Sequence, residues 1–246
     1  MHRIFITKEN VKNNLITITS KEKVHYLKNV LRLKVLDYIF CFDGKGREYK
    51  AKVLNIGKNI ILLEVIDVSS SLSELKVRVT IAQSLIKLNR FEFVLQKGTE
   101  IGAVGFLPFF SAYSVVKPTE NLEKKFLRWK KIVEEASKQS KRVVMPTISF
   151  PCDISKLILA FNSYEKVLVA YEKSTSSLRK LLNESKNLKN ILLVIGPEGS
   201  FSPSEIDIFS KNKASFFKLG PNILRAETAS LVALTCVLCL TCQLGG

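Results

Sequence analysis

Histidine is nearly absent from this chain of 246 residues: there are two, His2 and His25, both close to the N-terminus. A Ser-His-Asp hydrolase, a Cys-His protease or a histidine-rich metal centre would have to be built around one of them. Whatever chemistry the C-terminal two-thirds performs, it performs without imidazole. Long hydrophobic runs are lacking too. The longest, Leu231 to Leu244, is short for a membrane span and is interrupted by threonines, so no membrane role is expected. Met1 to Glu9 carries charges where a secretion signal would need an apolar stretch, and the five cysteines are an odd number. These features predict a cytoplasmic protein with reduced thiols.

Acidic residues are in deficit. Lys and Arg number 38 against 22 Asp and Glu, a formal charge of +16. Such a surplus points to a polyanionic partner, nucleic acid first and a membrane surface second. Hydrophobic residues make up 46% of the chain, enough for one large domain or two modest ones.

Residues 1–70 read as short strands. Arg3 to Ile6, Asn14 to Ile18, Asp37 to Phe42, Tyr49 to Leu54 and Asn59 to Ile66 are extended runs, and Asp43-Gly44 marks a tight hairpin. His25 to Leu33 is the exception, a short helix expected to present Tyr26, Val30 and Leu33 on one side. A small β-barrel is predicted. Val68 to Glu74 is rich in serine and marks the domain boundary. Beyond it, strands alternate with helices. Strands are predicted over Lys76 to Ala82, Val104 to Phe110, Val167 to Tyr171, Ile191 to Ile195 and Ser215 to Leu219. Helices are predicted over Asn89 to Ile101, Asn121 to Gln139, Leu178 to Asn183, Pro203 to Ser210 and Glu227 to Gln243. This alternation predicts an α/β domain over 74–246 with a parallel sheet covered on both faces.

Three of those strands lead into loops suited to a ligand. Gly196-Pro197-Glu198-Gly199-Ser200 follows a fully apolar strand, and the next helix opens with Ser202-Pro203-Ser204-Glu205, a capping box with proline at its first position. Leu219-Gly220-Pro221-Asn222-Ile223-Leu224-Arg225-Ala226-Glu227-Thr228 leads into the last helix, and Ala170-Tyr171-Glu172-Lys173 follows the third strand. Carboxyl ends of parallel strands are where α/β sheets bind ligands. None of these loops is a G-x-G-x-x-G or Walker A sequence, so dinucleotides and nucleoside triphosphates are not indicated.

Gly196-Pro197-Glu198-Gly199, together with Leu219-Gly220-x-x-Ile223-Leu224-Arg225-Ala226-Glu227-Thr228-Ala229, resembles the SPOUT superfamily of S-adenosyl-L-methionine-dependent RNA methyltransferases. More narrowly, the chain resembles the 16S rRNA (uracil-N3) methyltransferase family, RsmE. The resemblance runs nearly end to end. It includes His25-x-x-x-x-Val30-Leu31-Arg32, Phe42-Asp43-Gly44, Gln96-Lys97-x-Thr99-Glu100-x-Gly102 and Glu135-Ala136-x-x-Gln139-Ser140-x-Arg142. It implies a PUA-like N-terminal β-barrel that binds RNA, a C-terminal domain closed by a trefoil knot, a homodimer, and 16S rRNA in the small ribosomal subunit as substrate. Two positions depart from the family pattern: Ser200 stands where a second glycine is usual, and Asn222 where an arginine is common.

By the same resemblance, S-adenosyl-L-methionine lies among Ala170, Glu172, Gly196, Glu198, Gly199, Leu219, Gly220, Ile223, Leu224 and Arg225. Backbone groups can pair with the adenine edge, the apolar side chains can flank its faces, and a carboxylate beside a sulfonium is favoured by Coulomb attraction. Methyl transfer to uracil N3 requires loss of its proton. Glu198 and Glu227 are the candidate bases, and Arg225 is the candidate stabiliser of charge on the uracil oxygens. Glu227 has an equally good structural role, since a carboxylate in the first turn favours the dipole of the last helix. Arg3, Arg32, Lys97, Gln139, Lys141 and Arg142 are the candidate RNA contacts. Lys97 and Glu100 are spaced for an ion pair, and Trp129 is expected in the core.

Cys236, Cys239 and Cys242 stand at helical spacing with no histidine beside them, so they are read as small buried hydrophobes and no metal is expected. Two other functions compete with uracil methylation: ribose 2′-O-methylation on the same fold, and a non-catalytic RNA-binding protein. The two-domain arrangement and the Gln139 to Arg142 motif weigh against the first, the intact loops against the second.

Overall fold

The computed structural model describes residues 2–70, 75–116, 121–184 and 188–244. Residues 71–74 of the expected serine-rich boundary lie outside them. The chain forms two compact units. One comprises Met1–Glu74 and Ser137–Met145, the other Leu75–Ala136 and Pro146–Gly246.

The first unit is a six-stranded mixed sheet in the order β1-β4-β5-β6-β3-β2. Its strands are β1 (Arg3–Phe5), β2 (Val11–Lys12), β3 (Leu15–Ile18), β4 (Tyr38–Phe42), β5 (Arg47–Ile56) and β6 (Ile61–Ser70). β1 pairs parallel to β4 and the other pairs are antiparallel. Alternation decides which side chains go inward: Ile16 and Ile18 on β3, Ile39 and Cys41 on β4, and Ala51 and Val53 on β5 form one cluster with Ile61 and Leu63 of β6. Burial pushes the Cys41 thiol up to about 12, so it packs as a neutral apolar group. The β4–β5 hairpin turns where the Asp-Gly pair predicts. Asp43 Oδ1 accepts from the backbone N–H of Lys45 and Arg47 at 2.8 and 3.1 Å, and Gly44 takes φ +68°.

The helix of this unit starts earlier than expected. Helix α1 (Lys21–His25) runs on into a π-helical turn over Tyr26–Val30. Its buried residues are Val24 and Leu27, whereas Tyr26 and Val30 are exposed. The extra turn rotates the apolar stripe, so the predicted Tyr26–Val30 face is corrected; only Leu33, beyond the helix, is buried as expected.

The unit also includes a segment from far along the chain. Met145 N–H donates to Gly44 O at 3.0 Å, and Gly46 N–H donates to Val143 O. Lys45 forms an antiparallel bridge with Val144, and Arg3 Nη1 donates to Ser137 O at 3.2 Å.

The second unit is a six-stranded parallel sheet in the order β12-β10-β11-β7-β8-β9. The strands are β7 (Arg78–Ser84), β8 (Gly105–Phe109), β9 (Thr147–Ile148), β10 (Lys166–Ala170), β11 (Asn190–Ile195) and β12 (Ser215–Phe217). The helices are α2 (Leu88–Ile101), α3 (Leu122–Gln139), α4 (Ile154–Phe161), α5 (Leu178–Asn183), α6 (Pro203–Lys211) and α7 (Ala226–Leu240). The central strands β7 and β11 are buried almost throughout, as strands covered on both faces must be. Trp129 on α3 is fully buried and meets the Phe91 ring of α2 edge-on at 4.8 Å between centroids.

Two elements go beyond what the sequence predicts. β9 is too short to show a period. α4 carries the signals of a helix, with Asp153 capping it through Lys156 N–H and Leu157 and Phe161 buried. At the other end, α7 stops at Leu240, and Gln243 N–H returns to Leu238 O at 2.8 Å around Cys242 at φ +55°. The three cysteines therefore do not line one buried helix side: Cys236 is half-buried, and Cys239 and Cys242 are exposed.

Candidate active site

In an all-parallel sheet every strand–helix connection emerges at the same edge. Because β12, β10, β11 and β7 are neighbours, the loops that follow them converge there. The β10 loop begins at Ala170 and presents Glu172. The β11 loop holds Gly196, Glu198 and Gly199. The β12 loop holds Leu219 and Gly220 and runs through Ile223 and Leu224 to Arg225, the N-cap of α7. All ten expected cofactor residues thus lie at one sheet edge, and Glu227 follows in the first turn of α7.

Ser200, the departure from the family pattern, holds φ +63° and donates from Oγ to Glu172 Oε2 at 2.9 Å. Gln83, fully buried at the end of β7, donates from Nε2 to Gly196 O at 3.3 Å and accepts a hydrogen bond from Ser230 Oγ of α7. It ties the β11 loop to the last helix. Beside it, the hydroxyl of Ser84 lies 2.7 Å from that of Ser111 and 2.9 Å from that of Ser114, all three buried. They hold the loop after β8 against the end of β7. That loop brings Tyr113 so near Gly199 that a Cβ there would stand 3.2 Å from Tyr113 Cβ. Glu205 completes the capping box of α6: Oε2 accepts from Ser202 N–H and Oε1 from Ala112 N–H, each at 2.7 Å.

The two candidate bases come together around a residue that no sequence motif marks. Arg90, in the first turn of α2, donates from Nη1 to Glu198 Oε1 at 3.0 Å, and its Nε stands 3.6 Å from Glu227 Oε1. Glu227 Oε2 is buried and has no hydrogen-bond partner. The signal for Arg90 is topological, a basic residue one turn into the helix that follows a strand of this sheet. The same holds for Gln83 and the three serines, which stand outside every motif.

The residues present fit a ligand of the expected kind. A buried carboxylate oxygen without a partner is costly unless a donor or cation reaches it. Gly220 has no positive φ and nothing within 4 Å of where a Cβ would stand, so neither backbone conformation nor packing requires glycine there. The open space beside its backbone is room in which a ligand can approach closely. Ile223 is 87% exposed, an apolar side chain with nothing of its own unit upon it.

The expected RNA contacts divide. Arg32, at φ +51°, Gln139 and Lys141 are exposed, and all three belong to the first unit. Arg3 belongs there too but is turned inward: Nε pairs with Glu48 Oε1 at 2.6 Å and the guanidinium lies over the Phe42 ring. Arg142 is buried, with only 8% of its surface exposed, and so offers a phosphate little area. Lys97, in the second unit, pairs with Glu100 at 2.8 Å. Arg128 of α3 pairs with Glu92 of α2 at 2.7 Å.

A parallel α/β unit with ligand loops at one sheet edge, joined in one chain to a small mixed β-sheet, is an architecture that known proteins share. A family model described as an RNA methyltransferase domain matches residues 73–238, and one described as an RNA methyltransferase PUA domain matches residues 18–66. The chain is 34% identical to ribosomal RNA small subunit methyltransferase E of Bacillus subtilis, over 96% of each chain. It is 30% identical to the protein of that name from Rickettsia conorii, over 95% of this chain and 93% of that one. A Legionella pneumophila methyltransferase, whose solved structure contains the cofactor SAM, matches at a TM-score of 0.87 and 26% identity, over 96% of both chains. The chain belongs to the ribosomal RNA small subunit methyltransferase E family.

Proposed function

We propose that this protein is a methyltransferase that uses S-adenosyl-L-methionine to methylate N3 of a uridine in the 16S rRNA of the small ribosomal subunit. The observation that carries the reading is that the RNA methyltransferase match, residues 73–238, contains all three loops, Arg90 and both carboxylates. S-adenosyl-L-methionine, when bound, supplies the methyl group from its sulfonium.

The chain's own residues do the rest. Ala170, Glu172, Gly196, Glu198, Gly199, Leu219, Gly220, Ile223, Leu224 and Arg225 line the cofactor cleft. Gly220 admits close approach to the backbone, and Leu219, Ile223 and Leu224 give apolar contact. Glu198 and Glu227 are the groups that can take the N3 proton, and Arg225 faces negative charge on the uracil oxygens. Because N3 lies on the pairing edge, the uridine must be unpaired or flipped out. Residues 1–70, joined by Ser137–Met145, serve as the PUA-like RNA-binding domain, and the remainder of 74–246 as the methyltransferase domain. Arg32, Gln139 and Lys141 contact RNA, with Lys97 on the methyltransferase side; Arg3 and Arg142 shape the first unit instead.

The same reading includes a trefoil knot in the C-terminal domain, a cytoplasmic location and a homodimer. Support for the dimer is the last helix: beyond its first turn α7 is mostly apolar, yet Leu231, Val232, Cys236 and Leu240 are only half-buried within the chain. Sedimentation is expected to give twice the mass of one chain.

The deciding experiment is mass spectrometry of nucleosides from small-subunit rRNA of cells with and without the gene. Loss of 3-methyluridine on deletion, restored by the purified protein with S-adenosyl-L-methionine, is the expected result. Persistence of 3-methyluridine with loss of a 2′-O-methylated nucleoside would replace this reading with ribose methylation.

A further inference from the structure

Two carboxylates from different loops, Glu198 after β11 and Glu227 at the start of α7, meet at one guanidinium. Without it, two like charges at one place would repel. Arg90 reverses that sign. Its planar fork reaches both partners at once, Nη1 to Glu198 at 3.0 Å and Nε to Glu227 at 3.6 Å. Glu227 is the well-covered member, its side chain 13% exposed, while Arg90 and Glu198 stand partly open to solvent at 28% and 31%, so screening weakens the Glu198 pair more than the Glu227 one. The contact to Glu227 is an ion pair at Oε1, and Oε2 is buried without a hydrogen bond.

We infer that Arg90 is a positioning residue of this cleft. It pins the β11 loop to the first turn of α7, and it fixes the Glu227 carboxylate in place. The inference rests on the proposed methyltransferase reading and divides the labour between the two carboxylates. Glu198 is the anchor, held in a hydrogen-bonded ion pair. Glu227 is the acceptor: where the ligand is uracil, the N3–H bond breaks, the proton joins the Glu227 carboxylate and the electron pair stays on nitrogen. Arg90 touches neither substrate nor cofactor and acts through Glu227.

The test compares wild type with Arg90→Gln, Arg90→Lys, Glu227→Gln and the double variant Arg90→Gln/Glu227→Gln. Calorimetric titration with S-adenosyl-L-methionine and single-turnover methylation of small subunits are the two readouts. Arg90→Gln is expected to weaken cofactor binding by about tenfold or more, because it leaves two carboxylates without a counter-charge. It is expected to slow single turnover by about 100-fold, the cost of a misplaced reacting group. Arg90→Lys, which keeps the charge and loses the fork, is expected to recover part of both. The double variant is expected to lose much less rate than the product of the two single losses, since both act on one carboxylate. Lys211→Gln, which breaks the exposed Lys211–Asp207 pair on α6, is the control and should match wild type. Wild-type affinity and rate in Arg90→Gln, or single losses that multiply in the double variant, overturn the inference. If wild-type protein makes no 3-methyluridine, the functional reading fails by itself. Arg90 is then judged on cofactor affinity: a loss in Arg90→Gln upholds the pinned loops, and wild-type affinity refutes them.

Discussion

Ser200 holds a left-handed backbone conformation, φ +63°, that a residue with a Cβ adopts only at a cost of about 1–2 kcal/mol. Ser200→Gly removes that strain. It also frees the unfolded chain, at a cost of roughly 0.4–1 kcal/mol, and loses the bond to Glu172, an exposed contact worth about 0.5 kcal/mol. The three nearly cancel, so the melting temperature is expected to stay within about 2 °C of wild type. Cofactor affinity is expected to fall a few-fold, because Glu172 loses the partner that orients it. Calorimetric titration checks this, and a wild-type affinity would show that Glu172 is placed without Ser200. Glu198 and Glu227 teach the same lesson. Their residue type suggests a base, but what distinguishes them is what each oxygen touches.

At the scale of elements, α6 shows how local sequence and tertiary contact share one residue. Ser202, Pro203 and Glu205 announce a helix start by themselves. The structure adds that Glu205 Oε1 also accepts from Ala112 N–H, so one buried carboxylate satisfies two backbone donors from two loops. Glu205→Ala leaves both N–H groups unpaired and is expected to cost about 2–4 kcal/mol. For a chain of this size that corresponds to a melting temperature lower by roughly 5–10 °C, read by calorimetry. A loss confined to a single cap, about 1 kcal/mol, would mean that water replaces the Ala112 contact. The π-helical turn after α1 belongs at this scale too. A period of 3.6 places Tyr26 and Val30 inward, but the helix begins at Lys21 and widens at Tyr26, so Val24 and Leu27 are buried instead.

At the scale of the whole molecule, the first unit is not contiguous in sequence. Ser137–Met145 joins it through Gly44, Lys45 and Gly46 at the hairpin and through Arg3. A fragment of residues 1–70 is therefore expected to be less stable than one in which 137–145 is fused to it. Each lost backbone bond contributes about 1 kcal/mol, so the difference should reach roughly 2–3 kcal/mol in urea unfolding. Equal midpoints would show that the hairpin holds without the segment. The same long-range join puts Gln139 and Lys141 in one unit with Arg32, which gathers the exposed candidate RNA contacts on a unit that the sequence divides among distant stretches.

What the sequence determined by itself is whatever rests on neighbours along the chain. The Asp43-Gly44 turn, the capping box of α6, the apolar strand β11 and the glycine-bearing loops that follow β11 and β12 are local patterns with local causes. The scarcity of histidine narrows the chemistry through composition alone. Tertiary structure decided the rest. It chose the buried face of α1, ended α7 short of Cys242, turned Arg3 inward onto Glu48 and brought Arg90 between two carboxylates more than a hundred residues further along the chain. Those outcomes depend on strand order. A parallel sheet places the loops after β7, β10, β11 and β12 at one edge, and a charge becomes part of a site only when the fold sets another charge within a few ångströms of it.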